Sequence, residues 1–102
     1  MLPPDFSVTV GRDGDAVRLA VAGELDLATA PLVAEHLDGV GRALVLDLAG
    51  VTFMDSSGVA LLIEATRRAA GEGWSLSIAR TPPDALAVLE LCGLLDVLPL
   101  ES

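Results

Sequence analysis

The 102-residue sequence predicts an α/β fold: a single domain, residues 1–102, on a mixed, mostly parallel β-sheet of four to five strands with three to four helices. Three observations lead there. Two alternating apolar runs flank a short Gly/Asp loop at the N-terminus and predict an antiparallel hairpin. A six-residue run, Ala43 to Leu48, is apolar except for Asp47 and reads as a central strand buried on both faces. Segments of helical period separate the later strands.

In order, Phe6, Val8 and Val10 alternate with Ser7 and Thr9, which marks a half-buried strand. Gly11-Arg12-Asp13-Gly14-Asp15 is a turn by composition, and Val17, Leu19 and Val21 resume the alternation. Gly23-Glu24-Leu25-Asp26 breaks that strand. Thr29 is placed to cap a helix and Pro31 fits its first turn, where no backbone donor is needed. Val33, Leu37 and Val40 carry the helical spacing, and Gly39 and Gly41 end it. After the central strand, Ala49 to Asp55 leads into Ser56-Ser57-Gly58, the start of a helix striped by Val59, Leu62, Ile63, Thr66 and Ala70. Gly71-Glu72-Gly73 stops this helix. Trp74, Leu76 and Ile78 form another strand. Thr81 is placed to cap a helix with Asp84 at capping-box spacing, and Ala85, Val88, Leu89 and Cys92 form its inner face before Gly93. Val97 to Leu100 predicts a short last strand, held to a sheet edge by Pro99. Strands alternating with helices imply right-handed crossovers and parallel pairing.

Composition narrows the function. The net charge is −9 and all six basic residues are Arg, so a phosphate backbone is repelled and no nucleic-acid partner is expected. A basic protein surface fits better. No uncharged run exceeds eight residues, against the ~20 of a membrane-spanning helix, so no membrane insertion is expected. With a lone Cys92 and no signal-peptide pattern, the expected location is cytoplasmic.

In open α/β sheets, functional loops lie beyond the carboxyl ends of parallel strands. Three segments qualify: Gly23 to Ala28, Ala49 to Ser57, and Arg80 to Pro83. Asp26 and Ser56 are therefore expected on one surface. Catalytic equipment is missing there, and no enzyme is expected. Met54 stands where a nucleophile elbow needs Gly, and the one imidazole, His36, lies mid-helix. One His and one Cys give no metal-ligand spacing, and no P-loop Lys exists, so no cofactor or metal is expected.

Ser56 can instead accept a phosphate. Phosphorylation adds about −1.5 to −2 charge. A helix N-terminus favours that charge by ~0.3–1 kcal/mol, and the neighbouring Asp55 opposes it by a similar amount, so the fold tolerates it. A docked partner does not, because an unmatched charge in a desolvated interface costs several kcal/mol. Ser, Asp and Gly are also common at helix starts simply as caps, and Ser57 suits a purely local role.

The stretch LVLDLAGVTFMDSSGVALL, residues 44–62, resembles the core signature of STAS domains, and most of all the stand-alone bacterial anti-sigma factor antagonists. Gly23-Glu24-Leu25-Asp26 with Thr29 resembles a second family motif, and residues 85–100 resemble the family's last helix and strand. Val59-Ala60 departs from a frequent Leu-Gly. The resemblance implies a single STAS-like domain that binds an anti-sigma factor which is also a GHKL-type serine kinase, releasing a sigma factor for transcription. It implies phosphorylation of Ser56 by that kinase, which ends the binding, and a phosphatase that restores it. It implies a partner-binding surface around Asp26, with Glu24, Thr29, Asp55, Ser57 and Gly58 in the two motifs. The protomer is expected to be a monomer or weak dimer. The alternative is a non-phosphorylated STAS scaffold subunit of a lipid-transport ATPase complex or stress-signalling assembly.

Overall fold

In the computed structural model, which describes residues 5–101, four strands form one sheet in the order β1 (Ser7–Asp13), β2 (Ala16–Leu25), β3 (Ala43–Met54), β4 (Ser75–Ala79). The β1–β2 pair is antiparallel, and β2–β3 and β3–β4 are parallel. The crossovers are α1 (Ala30–Ala34), continued by a 3-10 turn (Glu35–Leu37), and α2 (Ser56–Glu72), and α3 (Pro83–Leu91) follows β4. The α/β class, the hairpin and the parallel remainder are as expected.

The hairpin turn is tighter than its composition implied. Strand pairing continues to Asp13 and Ala16, leaving only Gly14-Asp15 as the loop. Gly14 has φ +65°, which places Gly at the first central position of a two-residue turn, where positive φ is required.

The two central strands run further than expected. The segment from Gly23 to Leu25 does not break β2, and β3 does not end at Leu48 but continues to Met54. The added pairs are Ala22 with Gly50, Gly23 with Val51, Glu24 with Phe53 and Leu25 with Met54. Register shifts interrupt the ladder between Ala20 and Ala22 and between Gly23 and Glu24, and these bulges hide the period-two pattern. Gly50 is required at its bulge, since a Cβ there would lie 2.8 Å from the Cβ of Ala22.

Paired residues share a face, so Leu19, Val21, Leu25, Leu44, Leu46, Leu48, Val51 and Met54 form one apolar side of the sheet. The helices cover this side: α1 touches α2, and Ala85 and Val88 of α3 face Val51 and Met54 across a groove. The buried face of α2 is Val59, Leu61, Leu62, Ala65 and Ala69, whereas Ala70 of the expected stripe is exposed. Gly73 ends α2 with φ +81°. In α3, Ala85 and Leu89 are buried as expected but Cys92 is exposed. Thr81 does not cap α3; Pro82 holds the N-cap position without a side-chain bond. The last expected strand shrinks to one parallel bridge between Ile78 and Leu100, in which the Ile78 N–H donates to the Pro99 carbonyl at 2.9 Å.

Among the described residues, the opposite face carries one buried charge. Asp47, 2% exposed, accepts from Arg18 Nη2 at 3.1 Å, from the Ala49 N–H at 3.0 Å and from Arg80. Hydrogen bonding from Arg80 outweighs burial and holds the Asp47 carboxyl at about 2, against an ordinary 3.8. Arg80 itself adopts φ +54°, a strained backbone for a non-glycine residue, and its side chain closes over Asp47.

Candidate functional site at the carboxyl end of the parallel strands

Two chain reversals meet where β2 and β3 end. They are tied together by the Asp55 N–H, which donates to the Leu25 carbonyl at 3.3 Å. Asp26 and Ser56 therefore belong to one surface despite their separation in sequence.

The first reversal is built on Asp26 and Thr29. The Asp26 carboxylate accepts from the backbone N–H of Ala28 at 3.0 Å and of Thr29 at 3.2 Å. Thr29 is 1% exposed. Its hydroxyl accepts from the Asp26 N–H at 2.9 Å and donates to the Glu24 carbonyl at 2.7 Å. Thr29 thus occupies the N-cap position of α1 but makes no capping bond; it braces the loop from below. The expected cap does not form because the Thr29 hydroxyl is committed to the Asp26 N–H and the Glu24 carbonyl; the Ala30 N–H is taken by the Asp26 main-chain carbonyl at 2.8 Å instead. Glu24 is exposed at the end of β2, and Asp26 is half-buried.

The second reversal starts α2. Asp55 is its N-cap, with extended backbone, and its carboxylate accepts from the Ser57 N–H at 2.8 Å and the Gly58 N–H at 3.4 Å. Neither serine hydroxyl is used in this cap. Ser56 is exposed at the first helical position, and Ser57 is half-buried. Gly58 is buried, and a Cβ there would sit 2.7 Å from Met54 Cγ and 2.9 Å from the Leu25 carbonyl oxygen. Gly58 lets α2 sit directly on the strand ends. Burial of Thr29 and Gly58 restricts them to holding the surface; Glu24, Asp26, Asp55, Ser56 and Ser57 have accessible area on it.

Sequence reasoning missed two features here. Leu27, in the first reversal, is 78% exposed, and Phe53, next to last in β3, is 51% exposed. A large apolar residue in the short Asp26–Thr29 loop, whose other members are small or polar, was the available signal for Leu27; the bulge at the end of β3 concealed that of Phe53. Open grooves border the site on both sides. One, of about 470 Å3, runs past Phe6, Ala22, Glu24, Asp26 and Thr52, and the other, of about 420 Å3, separates Thr52 and Phe53 from Pro82 and Pro83. His36 lies apart in the 3-10 turn, with Nδ1 bonded to the Leu32 carbonyl at 3.0 Å. Among the described residues no helix is long and apolar enough to cross a membrane, and no His, Cys, Asp and Glu side chains gather as a metal site.

Comparison with known proteins matches this architecture. A family model described as "Mlab, STAS domain" matches residues 8–99. The chain is 30% identical over 95 residues to an anti-sigma-B factor antagonist of Listeria monocytogenes, covering 89% of this chain and 83% of that protein. A crystal structure of an anti-sigma factor antagonist from Mycobacterium paratuberculosis superposes with TM-score 0.81 at 26% identity, covering 97% of this chain and 87% of the other. The Bacillus cell fate determinant SpoIIAA, in its phosphorylated form, shares the fold with TM-score 0.70 at 19% identity, covering 94% of this chain and 92% of the other.

Proposed function

Because the chain belongs to the STAS-domain family of anti-sigma factor antagonists, we propose that it binds an anti-sigma factor and is released by phosphorylation of Ser56. In this reading it is a binding protein of the cytoplasm, not an enzyme. Its partner is an anti-sigma factor that doubles as a GHKL-type serine kinase, and a phosphatase reverses the modification. Sigma-factor-dependent transcription is on while Ser56 is free and off once it is phosphorylated.

The observation that carries this reading is the division of labour at the start of α2. Asp55 makes the cap, and Ser56 stands exposed beside it with its hydroxyl outside the capping bonds. A kinase can reach that hydroxyl without unfolding the helix. The added charge of about −1.5 to −2 falls at the positive end of a 17-residue helix, which offsets its repulsion from Asp55. The relevant cost then falls on a docked partner, as a dianion in a desolvated contact. Asp26 lies on the same surface and contributes to partner recognition, with Glu24, Asp55 and Ser57 around it.

Incubation with ATP and each GHKL-type kinase encoded in the same genome tests this. One of them is expected to add a single phosphate of about 80 Da to the wild type and none to Ser56→Ala. No modification by any of them overturns the phosphorylation switch, and unaltered partner binding and signalling by Ser56→Ala would point to the scaffold role.

A further inference from the structure

We propose that Leu27 and Phe53 are the apolar anchors that seat the partner on this end of the sheet, while the carboxylates around them steer the encounter without holding the complex. This rests on the reading of Ser56 above and specifies the surface that reads it: an apolar socket rimmed by Lys or Arg.

Leu27 and Phe53 are large apolar side chains left in water at 78% and 51% exposure. Both sit on a braced framework. Leu27 rides on the loop locked by Asp26 and Thr29, and Phe53 is paired in the sheet opposite Glu24. The Leu25–Asp55 backbone bond joins the two segments, and Leu27, Phe53 and Ser56 each lie within two residues of that junction. Apolar side chains carried on a fixed backbone need no loop ordering on docking, which suits them to hold a complex.

The charges around them have one sign. Glu24, Asp26 and Asp55 lie in the patch, and the six arginines are elsewhere: Arg12 and Arg18 on the hairpin, Arg42 before β3, Arg67 and Arg68 in the later half of α2, and Arg80 closed onto Asp47. This unbalanced negative rim complements a basic partner surface. It also decides how the switch must work. If long-range attraction to the carboxylates alone held the complex, a phosphate at Ser56 would add to it. Phosphorylation releases the partner only where the phosphate is forced into a dry contact, and apolar anchors beside Ser56 create that contact. Rim charges then act on the association rate and its salt dependence, and anchors on dissociation.

Surface plasmon resonance with the purified GHKL-type anti-sigma factor kinases of the same genome tests this. Leu27→Ala and Phe53→Ala are expected to dissociate about tenfold faster each, with association and melting temperature near wild type. Glu24→Gln is expected to slow association and flatten its salt dependence while dissociation stays the same. Leu91→Ala, at a residue 89% exposed at the far end of α3, is the control and is expected to bind as wild type. Wild-type dissociation in both anchor variants, or equal weakening by Leu91→Ala, overturns the anchor assignment even where Ser56→Asp still abolishes binding. Failure of the wild type to bind any of these kinases overturns the underlying reading, and the anchors with it.

Discussion

The carboxylate of Asp55 accepts the Ser57 backbone N–H at 2.8 Å, and this bond relieves Ser56 of any capping duty. Removing the cap and removing the Ser56 hydroxyl are therefore separable. Asp55→Ala is expected to lower stability by about 1 kcal/mol, within the ~0.5–2 kcal/mol span of cap deletions. Ser56→Ala is expected to shift it by less than about 0.5 kcal/mol. Urea unfolding of the two variants checks the ordering, and a larger loss in Ser56→Ala would return the serine to a structural role.

Thr29 holds the Asp26 loop through a hydroxyl that both donates and accepts in a buried setting. Thr29→Val keeps the shape but leaves the Asp26 N–H and the Glu24 carbonyl without that partner. A loss of about 1–3 kcal/mol is expected, with Thr29→Ser recovering most of it. Hydrogen exchange at Asp26 should rise in Thr29→Val even where the protein stays folded.

Asp47 makes stability depend on acid pH. Its carboxyl titrates at about 2 in the folded chain, below its ordinary 3.8, chiefly because Arg80 hydrogen-bonds to it. The stabilisation is complete above about pH 4 and is lost as the pH falls through 2. A depression of this size corresponds to roughly 2 kcal/mol. Asp47→Asn is expected to lower stability at pH 7 and to flatten its decline between pH 4 and 2 when unfolding free energies are compared across that range. An unchanged slope would remove Asp47 from the acid response.

These residues differ in how far the sequence announced them. The strand Ala43 to Leu48 and the helix start at Ser56 were legible, because an unbroken apolar run and a Ser/Gly-rich junction are local signals. The continuation of β3 to Met54 was not, since two bulges move side chains off the period-two pattern. Thr29 at a helix start looks like a cap; its burial follows from the path of the loop, which local spacing does not encode. The partners of Asp47 lie 29 and 33 residues away, so an acidic residue inside an apolar strand could flag a buried charge without naming Arg18 and Arg80. Ser56 and Asp26 were legible as neighbours because parallel topology alone brings their strand ends together.

The central claim is that a phosphate on Ser56 changes binding and leaves the fold intact. Its most direct test is a paired measurement on protein stoichiometrically phosphorylated at Ser56: affinity for the anti-sigma factor proposed as its partner, and melting temperature. The expected result is a loss of affinity of about a hundredfold, equivalent to about 2.7 kcal/mol, with a melting temperature within about 2 °C of the unmodified protein. Unchanged affinity, or a fall in melting temperature large enough to account for the lost binding, would contradict it.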